Sequence, residues 1–152
     1  MESSQVFTVA TNGFALCWVG LFIAHFLPEA SRARAGLLLL GGILAPTALF
    51  VLLTLGVVNA SDLEPAGSMT SFEGVVALFS VPERLLNVWV EIIGLILLVT
   101  YWIIEDARRR GINRFVVVPC LLASFLSGAW GLLGYLLTVG MVTAARRVVP
   151  SR

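Results

Sequence analysis

Within the long apolar runs of this sequence a single ionisable side chain stands out: Glu91, two residues past Trp89 and near one end of its run. A carboxylate inside hydrocarbon costs about 3 kcal/mol unless it is protonated, paired or wet, so a functional role is the default reading. As a neutral acid Glu91 could donate a proton or hydrogen bond to a substrate oxygen, which makes it the catalytic candidate. A position shallow enough to reach headgroup water would explain it equally well without chemistry. Asn87 lies four residues before Glu91 and Gly94 three after it. At that spacing the three share a helix face and could form a small polar notch, with Asn87 and Gly94 as ligand-binding candidates.

A second pattern is steric. Ser124, Ser127, Gly128, Gly131, Gly134 and Thr138 recur every three or four residues and would let another surface approach a helix closely. That surface is a helix of the same chain in the favoured reading; another subunit or a flat polyene remains open, so Gly128 and Gly131 are also ligand-binding candidates. His25 is the sole histidine and reads as a hydrogen-bonded anchor, and no metal site is expected. Asn12 reads as an interhelical amide bridge. Cys17 and Cys120 fall at different depths in their runs, so no disulfide between them is expected. No nucleophile–base pair, zinc spacing, phosphate loop or haem pair is present in the sequence.

These residues need an unusual scaffold. Of 152 residues 59% are hydrophobic and 12% charged, and the mean hydropathy is +0.97. Ten arginines and nine carboxylates, nineteen charges, cannot cover the surface of a soluble domain of this size. The expectation is an all-α integral membrane bundle, a single domain over 1–152. The net charge of +1 gives no reason to expect nucleic acid as a partner. Met1 to Gln5 carries Glu2 and no basic residue, the wrong flank for a secretory signal, so the first apolar run reads as retained.

A hydrocarbon core of about 30 Å takes roughly 20 helical residues to cross. Four runs qualify as transmembrane helices: about 6–27, 35–60, 85–104 and 115–142. The fourth extends apolar to residue 145, about 46 Å as a straight helix, so it is expected to tilt or protrude. Pro46 removes a backbone bond to Gly42 and predicts a kink. In the middle loop, Thr70 to Glu73 has capping-box spacing and Phe72, Val75, Val76 and Phe79 follow at helical intervals, which predicts a short interfacial helix over 71–80. Ser80 to Glu83 repeats the capping pattern with Pro82 in the first turn. Glu105 with Arg109 and Asp106 with Arg110 have the spacing of helix ion pairs, Gly111 reads as the cap, and anionic lipid is a plausible ligand of this segment.

Arg32, Arg34, Arg108, Arg109, Arg110 and Arg114 occupy two loops, which four spans would put on the cytoplasmic side with both termini opposite. Arg146, Arg147 and Arg152 argue against that arrangement.

The second half of the chain resembles the abscisic-acid-deficient-four family, small membrane proteins whose plant member is required for making neoxanthin from violaxanthin. The resemblance covers roughly 70–140 and rests on Gly74, Phe79-Ser80, Trp89, Asp106, Pro119-Cys120, Gly128 and Gly131. Where the plant pattern has a His and an Asp in the third span, this sequence has Glu91 and Ile96. The resemblance implies a membrane protein of carotenoid (xanthophyll) metabolism or binding, as an enzyme or as a holder of the pigment, with a carotenoid as its ligand. The other reading is an accessory subunit of a larger photosynthetic or respiratory membrane complex, with other membrane subunits as partners. Either way the chain is expected in the membrane fraction and in solution only with detergent; recovery as a monomer from a detergent-free lysate would overturn the membrane reading.

Overall fold

The computed structural model describes residues 3–52 and 70–148. Helix α1 (Ser3–Phe26) is followed by α2 (Arg32–Leu39), a π-helical turn (Leu40–Leu44) and α3 (Ala45–Leu52); then come α4 (Phe72–Phe79), α5 (Pro82–Arg109), α6 (Arg114–Leu126) and α7 (Gly128–Val148). All regular elements among the described residues are helical. The second expected run continues past Leu52 into 53–60, and that part lies outside the described residues.

Helix α5 is the central element and packs against α1, α3, α6 and α7. Ile93, Leu97, Ile103 and Ile104 of α5, Leu21 of α1, Val117 and Leu121 of α6 and Tyr135 of α7 are fully buried. Many large apolar side chains instead face outward, among them Leu16, Leu126, Trp130, Leu137 and Met141. Four helical stretches, Ser4–Phe26, Arg32–Leu49, Arg84–Arg109 and Gly128–Arg146, are long and apolar enough to cross a membrane. An apolar exterior on helices of that length is what lipid-facing surfaces require.

The irregular turn before Pro46 replaces the simple kink that the sequence suggests. Ala45 N–H donates to Leu40 O, five residues back, which widens one turn of an otherwise continuous helix. Its glycines explain the close packing. A side-chain carbon on Gly41 would sit 3.0 Å from Cys17 O, and one on Gly42 would sit 2.8 Å from Tyr101 Cβ. The helix is thereby wedged between α1 and α5.

Caps refine the sequence reading at three points. Ser71, one residue later than expected, is the N-cap of α4, its side chain accepting from Gly74 N–H at 3.1 Å. Ser80 closes α4, its hydroxyl donating to Ala77 O at 2.7 Å, while the α5 N-cap is Val81 without a side-chain bond and Pro82 opens the helix. At the other end of α5, Gly111 has φ +62°, with Gly111 N–H bonded to Arg108 O and Ile112 N–H to Ala107 O, both at 2.9 Å. That is a Schellman ending, and the left-handed backbone explains glycine there.

The largest departure from expectation is the fourth apolar run. It is not one tilted helix over 115–142. Ser127 adopts extended backbone (φ −160°, ψ 122°) and divides the run into α6 and α7, which fold back on each other. Cys120 approaches Thr138 at 3.7 Å, and Arg146 Nη1 donates to Arg110 O at 3.0 Å, so α7 returns toward the end from which α6 departs. The small residues that suggested a single packing face are instead the seam of this hairpin. A side-chain carbon on Gly131 would fall 2.6 Å from Ser124 Cα. Thr100 Oγ1 meets Ser124 Oγ at 2.9 Å, which ties the seam to α5; one of the two hydroxyls donates across this contact while the other donates to a carbonyl of its own helix, Ile96 O or Leu121 O.

The tip reaches only the middle of α5: a side-chain carbon on Gly128 would lie 3.6 Å from Ile96 Cα. Consequently the start of α1 and the end of α7 lie at opposite ends of α5. Gly131→Leu should force α6 and α7 apart and lower stability by about 1–3 kcal/mol. Gly134→Ala, whose added carbon meets only Cys120 Sγ at 3.7 Å, should be tolerated. Thermal unfolding of the two variants in the same detergent measures the difference.

Candidate functional site

Because the α6–α7 hairpin stops halfway along α5, its tip, α1 and α5 together line a cleft of about 610 Å³. Phe14, Trp89 and Phe125 supply its aromatic surfaces, Ile92 and Ile96 its aliphatic wall, and Gly128 part of its floor. The walls are held in place by specific contacts. Phe14 stacks on Phe125 with ring centroids 5.6 Å apart, and Trp18 braces Phe125 from behind at 4.8 Å. Trp89 Nε1–H donates to Thr11 Oγ1 at 3.2 Å, and Phe7 lies 5.7 Å from its ring. The cleft has the size and lining of a site for an apolar ligand.

Glu91 is not in this cleft. It is exposed on the neighbouring face of α5, in a smaller groove of about 240 Å³ between α5 and α3 that Gly94, Pro46 and Thr47 also line. Leu95 borders both spaces. Of the five sequence candidates, Glu91 and Gly94 share this groove, Gly128 lines the cleft, and Gly131 lies inside the hairpin seam. Asn87 lines neither. It is half-buried, and its buried Oδ1 has no hydrogen-bond partner among the described residues. The polar notch is therefore reduced to Glu91 beside Gly94. Asn12, exposed on α1, forms no amide bridge among the described residues; its neighbour Thr11 makes the contact to α5 instead.

The opposite end of the bundle is polar. Arg34, at the start of α2, is 5% exposed and donates to Glu105 Oε1 at 2.8 Å. Glu105 also meets Arg108 at 3.5 Å, not the Arg109 that helix spacing suggested. Arg108 Nε reaches across to Glu29 at 2.6 Å, which holds the Glu29 carboxyl below its ordinary range. His25 Nε2 lies 3.0 Å from Arg114 O, and Arg114 Nη1 donates to Phe26 O at 2.9 Å, so the end of α1 is pinned to the start of α6. His25 is thus an anchor, as the sequence suggested. Asp106 accepts from Arg110, as its spacing implied, and also from Tyr135 Oη at 2.8 Å. Tyr135, buried and edge-on to Trp102 at 5.6 Å, carries that bond from the middle of α7.

The sequence model of the ABA DEFICIENT 4-like (ABA4-like) family matches residues 5–135. The chain belongs to this family. The match includes α1 to α3, so membership reaches well beyond the 70–140 stretch that carried the resemblance. No curated protein and no solved structure matches the chain.

In this ABA4-like chain several of the recognisable residues are structural. Asp106 joins α5 to α7 through Tyr135, Gly128 seats the hairpin tip against Ile96, and Gly131 permits the seam. Ile96, at a position polar in the plant pattern, packs on the tip and lines the cleft. What sequence reasoning missed, namely the stacked Phe14 and Phe125 as one aromatic wall and Arg34 as the partner of Glu105, depends on the hairpin and on pairing across 71 positions. The buried pair yields a testable asymmetry. Arg34→Met alone leaves Glu105 facing Arg108 only and should cost about 3 kcal/mol, whereas Arg34→Met with Glu105→Leu should restore much of that loss. A double-mutant cycle by thermal unfolding reads the difference.

Proposed function

We propose that this ABA4-like protein acts in carotenoid metabolism by holding a xanthophyll in the apolar cleft between α1, α5 and the hairpin tip. The observation that carries the reading is the cleft itself, about 610 Å³ with Phe14, Trp89 and Phe125 around it, in a chain of this family. A polyene is flat, rigid and apolar, so a lining of aromatic and aliphatic side chains with a glycine beside them suits it, and little conformational entropy is lost on binding. Oxygenated end groups need polar partners. A xanthophyll that leaves the cleft over Leu95 brings one end to Glu91, where a neutral carboxylic acid donates a hydrogen bond or proton to an epoxide or hydroxyl oxygen.

The test is expression in a carotenoid-producing host, with pigment analysis of the cells and of the purified protein. Wild type should retain a xanthophyll or shift the pigment profile. Ala129→Trp, which fills the cleft at its mouth, should abolish retention. Glu91→Gln should keep the bound pigment while losing any conversion. Unchanged pigments and a colourless protein would reject the reading.

A second role, subunit of a larger membrane complex, is favoured by Glu91 being exposed in an apolar groove. A partner helix would relieve that cost. Purification in mild detergent discriminates: stoichiometric foreign chains support the subunit, a lone chain or homo-oligomer the pigment protein.

The hairpin supports a proposal for orientation. Arg32, Arg34, Arg108, Arg109, Arg110, Arg114 and Arg146 belong to one end of the bundle and Arg84 to the other. The basic end is the cytoplasmic one. Reporters fused to the two termini should therefore lie on opposite sides of the membrane, the C-terminal one inside; equal labelling of both from one side would reject the re-entrant arrangement.

A further inference from the structure

At the basic end the closing turns of α1 and α5 and the first turns of α2 and α6 surround a pocket of about 390 Å³. Arg34, Arg108 and Arg114 line it together with His25 and Asn113, and Glu29 is the one carboxylate on its rim. Glu105 stands behind, paired with Arg34 and Arg108. Three guanidiniums against two carboxylates leave a positive surplus of one at the pocket. Each guanidinium carries five N–H donors. The bonds that fix Arg34 and Arg114 use one donor apiece, to Glu105 and to Phe26 O.

The backbone adds to this field. Arg114 begins α6, a helix of 13 residues, and Asn113 Oδ1 already caps Phe115 N–H at 3.0 Å. Val116 N–H is likewise taken, by Asn113 O at 3.1 Å, so the backbone contributes chiefly the positive end of the helix, which favours an anion. The pocket floor is apolar, formed by Ile104, Ala107 and Ile112. Beside its mouth Phe115, 75% exposed, lies 6.1 Å from the ring of Phe26. A guest with a phosphate, a compact polar group and an adjoining hydrocarbon tail matches all of these features; a free phosphate would use only the charged part.

We propose that this pocket is a binding site for the phosphate headgroup of an anionic phospholipid, with the acyl chains laid along Phe26 and Phe115. The site joins α1, α2, α5 and α6, so an occupied pocket clamps four helices that otherwise meet there through separate ion pairs. It is independent of what the cleft binds. Glu29 competes with the guest for Arg108 and sets how tightly the site holds.

The test uses the purified full-length chain in neutral phosphatidylcholine nanodiscs doped with phosphatidylglycerol, with retained lipid counted by native mass spectrometry and stability followed by thermal unfolding. Wild type should retain phosphatidylglycerol in preference to phosphatidylcholine and be stabilised by it. Loss of charge-assisted bonds in Arg108→Gln with Arg114→Gln should weaken retention by about tenfold or more. Arg109→Gln, which removes a positive charge on the same turn of α5 but outside the pocket, should leave it unchanged. Glu29→Gln should tighten retention a few-fold, a gain that no folding defect can imitate. Equal retention in wild type and the double variant, or an equal loss in Arg109→Gln, would overturn the site. Stabilisation by inorganic phosphate without any by phosphatidylglycerol would overturn the lipid assignment.

Discussion

The approach of α7 to α6 at Gly131, close enough that a side-chain carbon there would fall 2.6 Å from Ser124 Cα, fixes most of the architecture. Two apolar helices joined by a single extended residue can pack along their length only if their backbones nearly touch near the turn. Glycine at the crossing and hydroxyls on either side meet that condition, because Ser124 satisfies its own polarity through Leu121 O and Thr100. With the seam closed, α7 must travel back toward the start of α6, and its last turn arrives beside Arg110 and Gly111. A bulkier residue at the crossing would favour the straight helix instead, and the cleft above the tip would then be filled by protein.

The same reversal distributes charge and space. By bringing Arg146 to the end that holds Arg34 and Arg108, it removes the conflict between basic loops and a basic C-terminal segment that four full spans would create. By stopping at the level of Ile96, it leaves α1 and α5 to meet each other directly higher up, where Trp89 contacts Thr11 and Phe7. One end of the molecule is consequently polar, arginine-rich and interlocked, and the other half is apolar and open. Such a division suits a chain in which lipid or an apolar ligand completes the packing.

Much of the fold was legible in the sequence because long apolar helices carry loud signals. Length and hydropathy located α1, α5 and the helix around Pro46; Pro82 marked the start of α5 and Gly111 its end. The hairpin was not legible from hydropathy, since lipid and a neighbouring apolar helix make the same demand on side chains. The available signal was the Ser127-Gly128 pair, a turn-forming dipeptide within a run too long for one crossing. Excess length alone was equally consistent with tilt. Partner choice at the polar end was hidden for a related reason: helix spacing nominates Arg109 for Glu105, but burial of Arg34 makes an unpaired guanidinium there costlier than an exposed one at Arg109, and the carboxylate follows the larger penalty.

The candidate chemistry was legible in kind but not in arrangement. Glu91 was visible as a carboxylate in an apolar run, and its helix face correctly included Gly94. Its relation to the glycines of the last run depended on which face of α5 the hairpin occupies, and Ile96 rather than Glu91 proves to face the tip. Successive residues on a helix point about 100° apart, so five positions along α5 separate a side chain held against the hairpin from one left in the α3 groove. The pigment reading therefore requires a ligand long enough to run from the aromatic cleft past Leu95. A rigid polyene with an oxygenated ring at each end meets that requirement, and a compact apolar ligand of the cleft would never reach the acid.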